Sequence, residues 1–281
     1  MDPLHKDIFD RLERFYDAVP RDVAAAEEHG ALVLFVREGA GWPFYARPRI
    51  GATEPPSLAD VTSVRERQRK LGLPEAFEWV HETNPELLAV ARSAGLQVLE
   101  APLMVLDPAA LPDPATLSDV AVRVLAADSP GLAADVAARR AVAAVAFAAA
   151  GTAPGAAGPA ERDAAVTELE VAALDEERTR IADGRRISAL AGTSTDGALA
   201  SGMAMRVGDV AEIAGVATLP AARRRGLGAA LTATLARELH RAGTDLIFLS
   251  AGSDDIARVY LRVGFRRIGT ACIAEPAALL A

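Results

Sequence analysis

The 281-residue chain is 51% hydrophobic and 24% charged, with a formal net charge of −8, a globular profile too acidic for a general nucleic-acid binder. No apolar run approaches the ~20 residues that span a bilayer, and the opening MDPLHKDIFDRLERFYDAV has no apolar signal-peptide core. One cysteine, Cys272, excludes an internal disulfide, and the four histidines have no ligand spacing, so no metal site is expected. These features, with heavy use of Ala and Arg and little Lys, predict a bacterial, cytoplasmic protein with no membrane or nucleic-acid partner.

In chain order, residues 4–17 predict a helix, with Leu4, Ile8, Leu12 and Phe15 on one stripe. ALVLFV (31–36) reads as a buried strand and WPFYARP (42–48) as an edge piece limited by its prolines. A helix over 57–70, the strand FEWV, a helix over 84–94 closed by Gly95 and the strand LQVLEAPLMVLD follow. The segment DPAALPDPATLSD (107–119) pairs prolines with acids and has no periodicity, which marks it as a linker. Beyond it come a strand (120–126) and two Ala-rich helices around a low-complexity loop (149–160). RISALAGTS and ALASGMAMRV then form a hairpin through Asp196-Gly197, and AEIAGVATL adds a third strand. A helix (227–242), the strand LIFL, a helix (253–263) and the strand FRRIGTACIAE complete the chain. The domains read as 1–108 and 120–281 around the linker 109–119.

Charge is unevenly spread. Between Arg206 and Arg267 ten arginines face six acids, leaving +4 there and −12 elsewhere. At the centre of that stretch, Arg223-Arg224-Arg225-Gly226-Leu227-Gly228 lies between a strand and a helix with leucines at 227, 231, 235 and 239. Free N–H groups of a first helical turn attract an anion, glycines let it approach the backbone, and arginine adds charge-assisted bonds. A phosphate-bearing ligand is expected at this turn.

The segment Glu212–Arg267 resembles the cofactor half of the GNAT superfamily of acetyl-coenzyme A-dependent N-acetyltransferases. Those enzymes carry Q/R-x-x-G-x-G/A between a strand and a helix, here Arg223, Gly226 and Gly228, and further on a motif here reading SDDIARVYLRVGF, with Tyr260, Gly264 and Phe265 in register and Ser253 in place of the usual asparagine. The resemblance implies acetyl-coenzyme A as co-substrate, its pyrophosphate held by Arg223, Arg224, Arg225, Gly226, Leu227, Gly228 and Ala229. It also implies that Val216, Ala217 and Thr218 meet the acetyl carbonyl and pantetheine arm. Tyr260 would protonate the leaving thiolate, Glu212 would serve as general base, and Ser253 would touch the coenzyme. From the residues alone, Glu212 equally suits a solvent-facing strand position, Tyr260 shares a core stripe with Ile256, Val259 and Val263, and Ser253 is explained by capping its helix.

The first half echoes the second. FEWVHETNPELLAVARSAGLQVL superposes without a gap on LIFLSAGSDDIARVYLRVGFRRI at an offset of 169 residues. Arg223, Gly226, Gly228 and Tyr260 then fall on Glu54, Ser57, Ala59 and Ala91, which removes the anion chemistry. The expected fold is α/β: two GNAT-like halves, each a mixed, mostly antiparallel sheet flanked by helices, the first degenerate. The expected reaction is acetyl transfer to a small-molecule or peptide amine, possible as a monomer or an oligomer. A coenzyme-binding sensor without catalysis and a sugar-amine acetyltransferase like mycothiol synthase are the alternatives. Acids at 161–177 (Glu168, Glu170, Asp175, Glu176, Glu177) suit either a cationic acceptor or a solvated helix face.

Overall fold

The computed structural model describes residues 3–39, 41, 43–149 and 151–277. Trp42 and the side chain of Leu4, both named above, lie outside the described set. The chain forms two compact units, Met1–Leu103 with Ile268–Ala281, and Met104–Arg267.

The first unit runs α1 (Pro3–Arg21), β1 (Ala24–His29), β2 (Leu32–Arg37), β3 (Ala46–Pro48), α2 (Leu58–Lys70), β4 (Phe77–Val80), α3 (Glu86–Ser93) and the start of β5 (Leu96–Leu106). Its strands lie in the order β1-β2-β3-β4, followed by the last strand among the described residues, β11 (Phe265–Pro276). Neighbours are antiparallel except β3 and β4. Strand β1 leaves no strand signal in the sequence, because AAAEEH is a half-exposed edge without an apolar face.

One sheet face, carrying Leu32, Leu34, Phe77 and Trp79, is covered by Val61 and Val64 of α2 and Leu87 and Ala91 of α3. Strand alternation turns Arg47 and Glu78 to the other side. There the fully buried Arg47 pairs with Glu13 of α1 and lies under the Tyr16 ring. Thr83 donates its hydroxyl to the same Glu13 carboxylate.

Burial pushes the Glu78 carboxyl up to about 7, with Arg47 opposing and Glu275 reinforcing the shift. The folded chain thus keeps a proton that an unfolded glutamate, near 4.5, has released. Stability should therefore fall as pH rises from about 4.5 to about 7, and level off above. Glu78→Gln is expected to flatten that slope and to raise the stability at pH 8. Urea unfolding of both proteins at pH 5 and pH 8 tests this, and an equal pH dependence in the two would refute it.

The second unit continues with β6 (Val122–Val124), α4 (Leu132–Phe147), α5 (Pro159–Ala164), α6 (Val171–Ala182), β7 (Arg186–Thr193), β8 (Gly197–Val207), β9 (Val210–Thr218), α7 (Leu227–Arg241), β10 (Leu246–Ser250) and α8 (Asp254–Leu261). Strand order is β6-β7-β8-β9-β10, antiparallel throughout except for the parallel pair β9–β10. The mixed, mostly antiparallel α/β class is therefore the one observed. The stripe Leu227, Leu231, Leu235 and Leu239 of α7 is fully buried, as its spacing predicts. Gly202 of β8 makes room for it, since a Cβ there would run into the Leu231 side chain.

Shifted by 169 residues, the starts of α2, β4, α3 and β5 fall within one residue of those of α7, β10, α8 and β11. The internal echo is therefore an echo of structure. The division of the chain, however, differs from the one expected. Residues 107–119 are part of the second unit, folded into two short 3-10 turns capped by the Asp107 and Asp113 carboxylates. They are fastened by Asp107 N–H to Gly264 O (3.0 Å) and Arg237 Nε to Pro112 O (3.3 Å). The proline-acid pairs that suggested a linker are the signature of capped turns. At the other end, residues from Ile268 onward belong to the first unit.

Candidate active site

Strand β9 carries the candidate residues Glu212 and Val216–Thr218. It pairs with β10 only over Val210–Glu212, matched with Leu246–Phe248, and then runs on for six residues without that partner. On its other side the ladder with β8 slips: Gly215 and Val216 together oppose the single residue Gly202. Gly215 takes a φ of +62°, the left-handed value such a bulge needs. Parallel strands that part and a strand that bulges leave backbone groups without ladder partners, and Ala214, Gly215, Val216 and Thr218 are only half-buried there.

Helix α7 starts at the mouth of this opening. Its N-cap, Gly226 (φ +78°), offers no side-chain acceptor to the first turn. A Cβ at Gly226 would collide with the Leu117 carbonyl oxygen, so this glycine is fixed by packing as well as by φ. Gly228 differs: a Cβ there would lie 3.6 Å from Thr218 Oγ1 and 3.8 Å from Val216 Cγ1, filling space that is now open between helix and strand. Leu227 and Ala229 are buried and contribute backbone only.

The three arginines divide their work. The Arg223 guanidinium donates to the carbonyls of Ala146 (2.9 Å), Ala149 (2.7 Å) and Ala153 (3.0 Å). It therefore ties the end of α4 and the low-complexity loop to the turn, rather than reaching outward as its motif position suggested. The loop is held again by Gly155 N–H to Pro220 O (3.1 Å) and Ala221 N–H to Ala157 O (2.9 Å). Arg224 and Arg225 are exposed, and Arg224 adopts φ +68°, a left-handed value uncommon for a residue with a Cβ.

The equivalent helix start in the first unit is closed by its own side chains. Ser57 Oγ accepts from Asp60 N–H (3.2 Å) while the Asp60 carboxylate accepts from Ser57 N–H (2.9 Å), a reciprocal capping box. The chain's own carboxylate thus caps the start of α2, whereas the start of α7 has no side-chain cap.

Tyr260 is buried on α8, its ring edge-on to Phe265 at 6.1 Å, and burial pushes its hydroxyl up to about 12. It holds its proton at any physiological pH. Ser253 caps α8, its Oγ accepting from Ile256 N–H at 3.3 Å. Glu212 is half-buried on β9, opposite Met205 of β8 and Phe248 of β10.

Sequence reasoning missed a second group on the same face. Glu177, one of the acids that suit either a cationic acceptor or a solvated helix face, is buried and hydrogen-bonded to Arg139, Arg186 and Ser188. Laying out the β7–β8–β9 register would have exposed it, because Arg186, Met205 and Glu212 form one row across the three strands. Among the described residues no cluster of three or more His, Cys, Asp or Glu could hold a metal, and no helix is long and apolar enough to cross a membrane.

Comparison with known proteins fits this geometry. Residues 193–274 match the family model of FR47-like proteins. A GCN5-related N-acetyltransferase from Kribbella flavida superposes with a TM-score of 0.66 at 24% identity, over 94% of this chain and 95% of its own. The chain has the GNAT fold. A GCN5-related N-acetyltransferase from Sphaerobacter thermophilus shares it at 17% identity (TM-score 0.57, 92% of this chain and 84% of the other). So does a tandem GNAT protein from the clavulanic acid biosynthesis pathway, at 14% identity (TM-score 0.52, 88% and 78%). No curated protein matches the sequence. In this GNAT-fold chain, the parting of β9 and β10 and the uncapped start of α7 fall in the part matched by the family model.

Proposed function

We propose that the second unit transfers an acetyl group from acetyl-coenzyme A to the amine of a small molecule or peptide, by direct attack in a ternary complex. The observation that carries this reading is the start of α7, uncapped, glycine-lined and flanked by two exposed arginines, at the mouth of the gap between β9 and β10. The pyrophosphate would rest on the N–H groups of the first turn from Leu227 to Ala229, with Arg224 and Arg225 beside it. Arg223 supports this cradle from behind. Backbone N–H groups from Val216 to Thr218, at the bulge and just beyond it, would polarise the thioester carbonyl. Ala217 is buried and fixes that backbone.

In the reaction the amine nitrogen bonds to the carbonyl carbon as the carbon–sulfur bond breaks. Glu212, directly or through a water, takes the proton lost by nitrogen, and Tyr260 donates one to sulfur. With its hydroxyl raised to about 12, Tyr260 enters the reaction protonated and so has a proton to give as charge develops on sulfur. With α2 closed by its own capping box, one coenzyme per chain is expected.

Calorimetric titration with acetyl-coenzyme A, followed by thiol release in an amine screen, tests the reading. Tyr260→Phe and Glu212→Gln are each expected to lower kcat about 100-fold while acetyl-coenzyme A affinity stays within about twofold. Undiminished turnover in both would remove these roles. Binding without turnover of any amine would favour a coenzyme-sensing protein instead.

A further inference from the structure

Behind the β9 bulge lies a buried cluster that acetyl transfer as such does not require. Arg139 of α4 directs Nη2 to Glu177 Oε1 (3.3 Å) and Nη1 to the Met203 sulfur (3.3 Å). Arg186 of β7 directs Nη1 to Glu177 Oε2 (2.9 Å), and Ser188 donates to Oε1 (3.1 Å). Both oxygens of the carboxylate are thus engaged. The Nε groups of Arg139 and Arg186 are buried without any acceptor. Two guanidiniums share one carboxylate, so a positive charge is left over where little water reaches. An uncompensated buried charge is costly, and a missing anion is the simplest thing to offset it.

The register shows what the cluster faces. Arg186, Met205 and Glu212 stand side by side on three adjacent strands, with Ser188, Met203 and Ala214 in the next row. Met203 touches the bulge, since a Cβ at Gly215 would lie 3.9 Å from its side chain. At about 4.8 Å per strand, Arg186 and Glu212 are about 10 Å apart at their Cα atoms, and the side chains between them are two half-buried, unbranched methionines. Of the other acids of this region, Glu168, Glu170 and Asp175 are exposed, Glu176 pairs with Arg180 at 3.0 Å, and Glu212 stands two strands away from Arg186 in the same row.

From this layout we infer that the acceptor is an amino-carboxylate, its carboxylate bound by Arg139 and Arg186, its apolar middle on Met203 and Met205, and its amine at Glu212. The inference rests on the acetyl-transfer reading for the identity of the amine's neighbour, and it replaces the cationic acceptor that the acids at 161–177 suggested. A guanidinium edge matches a carboxylate in plane and charge, and methionines tolerate several chain lengths between the two ends.

The test uses equilibrium binding, so it does not depend on turnover. The whole protein, with and without coenzyme A as the free thiol, is titrated calorimetrically with matched pairs: 6-aminohexanoate against hexylamine, and phenylalanine against 2-phenylethylamine. The carboxylate-bearing member of at least one pair is expected to bind ten or more times tighter. Arg186→Gln should erase that preference. Glu177→Gln, which releases both guanidiniums from their present partner, should increase it, an outcome that a purely structural cluster would not give. Equal or tighter binding of the decarboxylated amines, no binding in either series, or an equal loss for both members in Arg186→Gln overturns the inference. Should Arg186→Gln fail to fold, the wild-type pairs and Glu177→Gln decide. Failure of thiol release with bound acetyl-coenzyme A would instead sink the acetyl-transfer reading while leaving the binding preference legible.

Discussion

Reversing the charge of Arg224 and Arg225 together, as Arg224→Glu/Arg225→Glu, is expected to weaken acetyl-coenzyme A binding at least ~100-fold while the melting temperature moves by no more than about 2 °C. Both side chains are exposed beside the first turn of α7 and serve no packing purpose. Each charge-assisted bond to a phosphate is worth about 1.5–3 kcal/mol, so losing two and adding repulsion exceeds a hundredfold. The wild-type affinity should also fall as salt is raised from 0.05 to 0.5 M, because surface charges are screened over that range. Arg223→Ala provides the contrast. Its guanidinium holds three carbonyls within 3.0 Å, so the expected primary result is a lower melting temperature, with affinity lost through a displaced loop. Calorimetry and thermal unfolding on the same samples separate the two. If the double reversal binds acetyl-coenzyme A normally, the anion site is elsewhere.

The second large effect is expected at the glycines of the same turn, which have different reasons for being glycine. Gly226→Ala should destabilise the protein by about 3 kcal/mol or more, because the left-handed backbone and the Leu117 carbonyl both reject a Cβ. Gly228→Ala should leave stability within about 0.5 kcal/mol, since its Cβ meets only ordinary contacts. It should nevertheless weaken acetyl-coenzyme A binding about tenfold by occupying the space a ligand's oxygens would use. Urea unfolding and titration of both variants check the pair. Equal stability losses at 226 and 228 would mean that the motif is a folding signal only.

Much of the second unit was legible in the sequence because its signals are local. The leucine period of α7, the Asp196-Gly197 turn and the arginine-glycine run each fix a short stretch, and the register of the later motif placed Tyr260 on its helix. What stayed hidden depends on pairing between distant strands. The bulge at Gly215–Val216 arises from the match with Gly202, and the row Arg186–Met205–Glu212 exists only once three strands are aligned. Arg223 illustrates the limit well. Its position in the motif suggested a phosphate ligand, yet which way a guanidinium points is decided by carbonyls about 70 to 77 residues earlier in the chain. Residues 107–119 mislead for the opposite reason: their proline-acid pairs suit a linker and capped turns alike, and the structure has the turns.

Strand β11 has a consequence for synthesis. Ala271–Ala274 of β11 pair with Val80–Phe77 of β4 inside the first unit. The sheet that contains β4 therefore waits for a partner translated about 190 residues later, roughly 10–40 s at ordinary ribosome speeds. During that interval the edge of β4 is open, with Phe77 and Trp79 beside it, and that edge is a template for pairing with another nascent chain. The second unit, continuous from Met104 to Arg267, can close first and deliver the missing strand. In this protein the first unit is begun before the second and completed after it, and its yield in the cell should depend on chaperone holding of β4 and its neighbours until β11 has been made.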